Sequence, residues 1–74
     1  MAVVRSFTTK ELDRQAAHTE VDATISTVEV DGEKFVQIDT YGSKGRAIPN
    51  KVSQSLRLSK TAFDELVKIG SKHF

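Results

Sequence analysis

Residues 28–35 read VEVDGEKF, and this stretch constrains the fold more than any other. Asp31-Gly32 stands between two runs of alternating residues, the signature of a two-residue hairpin turn. Glycine readily adopts the positive φ that a type I′ turn requires, so the chain reverses here and the two runs pair antiparallel. The first arm, VDATISTVEV, carries Val21, Ala23 and Ile25 in one register, then Val28 and Val30 in the other. That switch of phase predicts a bulge near Thr27. The second arm runs from Glu33 to Tyr41 and is rich in β-branched and aromatic residues.

Beyond Tyr41, Gly42-Ser43-Lys44-Gly45-Arg46 breaks every period and reads as a loop. Its glycines lack the spacing of a phosphate-binding loop. Pro49 confines AIPN to a turn or an edge strand. KVSQSLRL then alternates again, with Val52, Gln54, Leu56 and Leu58 on one side and Ser53, Ser55 and Arg57 on the other. Ser59 is a good N-cap, because its hydroxyl can accept from a free N–H of a first helical turn. The helix it opens places Ala62, Phe63, Leu66, Val67 and Gly70 on one stripe expected to be buried. Lys68 and Lys72 suit the negative end of its dipole, and Gly70 is expected to end it or begin its fraying. Thr8 and Glu11 have capping-box spacing, so residues 1–19 read either as a short helix or as an arm. The expected fold is α+β: a small antiparallel sheet of three to four strands followed by one C-terminal helix packed on one face. Residues 20–74 would form the binding domain.

A chain of 74 residues makes one small domain with a marginal core, since it buries only about 60% of its unfolded surface. Domains of this size usually add disulfides, a metal or a partner chain. There is no cysteine, which excludes disulfides and thiolate metal sites and fits a reducing intracellular, cytoplasmic setting. His18 and His73 are far apart and in no ligand spacing, so neither a metal nor another cofactor is expected. A partner chain remains, and a homodimer is expected. No apolar run approaches the ~18 residues of a membrane span, and the N-terminal residues do not read as a secretory signal. No catalytic constellation stands out, so the chain is not expected to be an enzyme.

Charge is uneven. Residues 1–39 hold four Lys/Arg against eight Asp/Glu, whereas residues 40–74 hold seven against two. A basic half beside an acidic one either marks a polyanionic partner or lets the two halves neutralise each other. Aligning the strand registers puts Val21, Ala23, Ile25, Val36, Ile38, Leu56 and Leu58 under the helix. The uncovered face then carries Thr24, Ser26, Phe35, Gln37, Asp39, Tyr41, Ser53, Ser55 and Arg57, rimmed by Lys44, Arg46 and Lys51. Aromatic rings can stack bases with little regard for sequence, and cations can neutralise phosphates. The candidate nucleic-acid contacts are therefore Phe35, Gln37, Tyr41, Lys44, Arg46, Lys51, Ser53, Ser55 and Arg57. The competing reading for Phe35 and Tyr41 is packing, in a dimer interface or under the N-terminal arm.

Residues 35–69, FVQIDTYGSKGRAIPNKVSQSLRLSKTAFDELVKI, resemble the single-stranded DNA-binding domain of the transcriptional coactivator positive cofactor four and its bacterial and phage relatives. Ile38-Asp39-Thr40-Tyr41 is similar to the family's strand end and Pro49-Asn50-Lys51 to its basic segment. Ser55-Leu56-Arg57-Leu58-Ser59 is similar to the strand entering its helix, and Phe63 with Leu66 to its helical anchor pair. The resemblance implies a homodimer whose helices pack together and whose sheets form grooves for antiparallel single strands. It places Lys51 on phosphate and Tyr41 near bases. Two departures stand out: the hairpin turn around Gly32 is acidic where the family's is basic, and Gly42 replaces a frequent tryptophan. The expected function is single-stranded DNA binding in transcription, replication or repair, in a bacterial nucleoid or a phage-infected cell, with RNA left open as a ligand. The alternative is a small protein-interaction or regulatory module that binds no nucleic acid.

Overall fold

The computed structural model describes residues 1–42 and 51–74. Four strands, β1 (Ala2–Val4), β2 (Ala23–Val30), β3 (Glu33–Tyr41) and β4 (Val52–Leu58), precede one helix, α1 (Lys60–His73). The strands form a single open sheet in the order β1-β4-β3-β2. β3 pairs antiparallel with both β2 and β4, while β1 runs parallel to β4. The chain is thus an α+β fold with a mostly antiparallel four-stranded sheet.

The turn that defines the hairpin has both central residues in the left-handed region, Asp31 at φ 51° and Gly32 at φ 81°. This is the backbone a type I′ turn needs. From it, β2 and β3 pair without interruption from Val30↔Glu33 to Ala23↔Thr40. The bulge expected near Thr27 is therefore absent. The irregularity lies between β3 and β4, where Thr40 partners Gln54 but Tyr41 partners Val52, leaving Ser53 as the extra residue. Such an insertion bends the strand and re-aims the side chains beside it.

Cross-strand partners share a face, so the registers define two surfaces. Ala23, Ile25, Val36, Ile38, Leu56 and Leu58 lie on one of them, with Ala2 and Val4 of β1 alongside. This grouping matches the expected apolar face, except that Val21 lies ahead of β2. Helix α1 packs against β3 and β4. Leu58 is 2% exposed and Ala62 is fully buried, which closes the joint where strand passes into helix on the apolar side.

Ser59 caps that helix as its sequence position predicts. Its Oγ accepts from the Ala62 N–H at 3.2 Å and donates to the Arg5 carbonyl at 3.1 Å, while its own N–H donates to the Val4 carbonyl. The helix does not stop at Gly70 but continues to His73, where the Phe74 N–H closes the last turn on the Gly70 carbonyl. Only part of the predicted stripe is covered. Phe63, Leu66, Val67 and Ile69 are each 39–47% exposed, because α1 spans β3 and β4 and leaves the outer strand β2 bare. Ile25 of β2 is accordingly 71% exposed.

The N-terminal residues form no helix at the Thr8–Glu11 capping box. Instead Ala2–Val4 adds a short parallel strand, so the sheet begins ahead of the expected domain start at residue 20. The Phe7 N–H then donates to Glu65 of α1 at 2.8 Å, which ties the segment beyond β1 to the helix.

Candidate functional site

The second face carries Thr24, Ser26 and Val28 from β2, Phe35, Gln37 and Asp39 from β3, Ser55 and Arg57 from β4, and Val3 from β1. The alternation of β3 and β4 thus brings together the polar residues that the sequence assigns to one surface. They are already bonded to one another. The Arg57 Nε–H donates to the Gln37 Oε1 at 2.7 Å, and the Gln37 Nε2 donates to both Asp39 oxygens at 3.1 Å. A donor on one side and a carboxylate on the other fix the Gln37 amide in a single orientation. Hydrogen bonds from the Ser55 hydroxyl and then from Gln37, with the nearby Arg57 charge, hold the Asp39 carboxyl below its ordinary value against the opposing effect of burial. Asp39 is therefore ionised at neutral pH and anchors the row.

A concavity of about 270 Å³ opens beside this row, lined by Met1, Ala2, Val3, Gln37, Ser55 and Arg57. Strand β1 forms its apolar wall and β3 and β4 its polar floor. At the other end of the face, Tyr41 is half-buried and its hydroxyl lies 3.0 Å from the Thr24 Oγ1. That bond draws the ring toward β2 and holds it on this side of the sheet.

Phe35 requires a correction. It lies on the polar face, as expected, but is only 8% exposed, and the Arg5 guanidinium sits 5.8 Å from its ring centroid. A ring so covered offers no surface for stacking a base. Arg5 also pairs with Glu33 at 2.6 and 3.2 Å. The bonds from Arg5 lower the Glu33 carboxyl, and Glu33 in turn raises the already high value of Arg5. The packing under the N-terminal segment weighed from sequence is thus what Phe35 adopts.

Of the other candidates, Gln37, Ser55 and Arg57 are brought together, Tyr41 lies on the same face, and Ser53 sits exposed at the bulge. Lys51 is exposed immediately before β4. Lys44 and Arg46 lie outside the described residues. Two contributors are missing from the sequence-based set of contacts: Asp39, which orients the row, and the β1 segment, which walls the concavity. Asp39 is visible in sequence as the carboxylate in register with Gln37. Nothing local announces β1, because three apolar residues are too few to show a period.

No group of His, Cys, Asp and Glu among the described residues is arranged to hold a metal ion. No helix among them is long and apolar enough to cross a membrane. Comparison with protein-family models, with curated proteins and with solved structures finds no match.

Proposed function

We propose that this chain is a single-stranded DNA-binding protein that works as a homodimer and uses the polar face of its sheet. The observation that carries this reading is the Asp39–Gln37–Arg57 row, which presents an oriented guanidinium beside an open concavity. Tyr41 adds an aromatic ring on the same face, and Lys51 adds a cation at its border. Oriented donors and an exposed cation suit phosphate and base edges, and a ring suits stacking. The motif resemblance in residues 35–69 supports the same reading. A second copy of the chain is the expected cover for Phe63, Leu66, Val67 and Ile69, since a domain with so small a core gains most from burying them.

Titrating labelled oligothymidine at several salt concentrations tests this function. If four cations per protomer touch phosphate, log affinity falls with log salt at a slope of about −3. Binding that ignores salt, or no binding at micromolar protein, removes the proposal. The bare apolar side of α1 is the one feature that favours a protein-interaction module instead. In that case the double change Lys51→Ala with Arg46→Ala leaves partner binding intact, whereas it weakens an oligonucleotide complex.

A further inference from the structure

We propose that Arg57 reads a guanine base in the concavity between β1 and the polar row. This rests on the single-stranded nucleic-acid reading and adds a base preference to it. Arg57 is bonded through Nε to Gln37, and Gln37 is bonded to both oxygens of Asp39. The guanidinium plane is therefore set by a relay of two side chains. No described residue accepts a hydrogen bond from its two terminal nitrogens, which remain as a fork of donors. Of the other polar groups of the concavity, the Gln37 carbonyl is spent on Arg57 and the Gln37 amide on Asp39.

A ligand must then present neighbouring acceptors to a pair of donors. Guanine does so with O6 and N7, an edge backed by the larger purine ring that the aliphatic wall can cover; cytosine offers O2 and N3 on its pairing edge, whereas adenine sets an amino donor beside its N7 and thymine flanks each acceptor with a donor or a methyl group. The concavity, about 270 Å³, falls just below the roughly 300–1,000 Å³ of clefts for drug-sized ligands, a scale that suits one base. Its aliphatic wall at residues 1–3 gives the ring an apolar neighbour. A lysine at position 57 keeps the charge but cannot fork.

Fluorescence anisotropy on a short labelled oligothymidine tests this, with the central base thymine, adenine, cytosine, guanine or 7-deazaguanine. The expected result is that the guanine oligonucleotide binds tightest, on the order of tenfold tighter than the thymine one. That preference is lost with 7-deazaguanine, which lacks the N7 acceptor and needs no change to the protein. It is also lost in Arg57→Lys, whose affinities for the guanine and thymine oligonucleotides become equal. Equal affinity for every central base, with Arg57→Lys weakening all alike, makes Arg57 a phosphate contact; this overturns the inference and leaves single-strand binding standing. A guanine preference that survives either 7-deazaguanine or Arg57→Lys, or tightest binding of the cytosine oligonucleotide, also overturns it. Failure to bind any of the oligonucleotides removes both readings together.

Discussion

Truncating Phe63 separates what the lone chain holds together from what a second copy adds. A fully buried Phe→Ala change costs about 3–5 kcal/mol. Phe63 is 39% exposed in the single chain, so the intrachain share is about 2–3 kcal/mol. The remaining contribution, about 1–2 kcal/mol per protomer, is realised only when another chain covers the ring. A two-fold interface uses the residue twice. Dimer affinity should therefore fall by about 2–4 kcal/mol, roughly 30- to 1,000-fold in Kd. Sedimentation equilibrium gives the Kd, and urea unfolding at several protein concentrations gives stability and its coupling to association. For the unsubstituted chain the urea midpoint should rise with protein concentration, because association stabilises the folded state. In Phe63→Ala the midpoint falls and most of that concentration dependence disappears. An unsubstituted protein that sediments as a monomer, or a variant whose dimer Kd is unchanged, refutes the reasoning.

Three further changes probe the scaffold. Ser59→Ala removes the N-cap and the bond to the Arg5 carbonyl, and should cost about 1–2 kcal/mol in urea unfolding; Ser59→Asp should recover only the capping share, and full recovery would contradict the double role. Gly32→Ala places a Cβ in open space at φ 81°, so any cost is backbone strain, about 1 kcal/mol; an unchanged urea midpoint would show that the turn relaxes freely. Asp39 and Glu33 are both held below their ordinary values in the folded chain, so each stabilises it above the ordinary carboxylate range, and that stabilisation is lost as pH falls through the depressed value. The urea midpoint should thus be flat between neutrality and about pH 5 and decline below about pH 4; a midpoint that rises on acidification runs against the sign of both shifts.

Local chemistry was readable wherever it acts over a few residues. Asp31-Gly32 announces its turn, Ser59 its cap, and the alternation of β3 and β4 the two faces of the sheet. What escaped depends on distant partners. β1 exists because Ala2–Val4 finds β4 more than fifty positions away, and three apolar residues carry no signal of that pairing. The switch of phase at Val28 and Val30 predicts a bulge only if every apolar residue of the arm shares one face. In the structure Val28 pairs with Phe35 on the polar side, and Arg5 covers the ring there. That end of the polar face is therefore apolar, and alternation alone could place Phe35 but not its cover. The spacing of the helix stripe predicts burial, but one chain supplies only enough sheet to bury Ala62 fully, and Phe63, Leu66 and Val67 stay exposed.

Backbone amide and side-chain NMR shifts followed while oligothymidine is added test the account most directly. The perturbations should fall on Gln37, Asp39, Tyr41, Ser55 and Arg57, with Lys51 at their border, and leave Ile25 and Val67 unmoved. Shifts confined to α1 and Ile25, or none at saturating oligonucleotide, would contradict the assignment of the polar face as the binding surface.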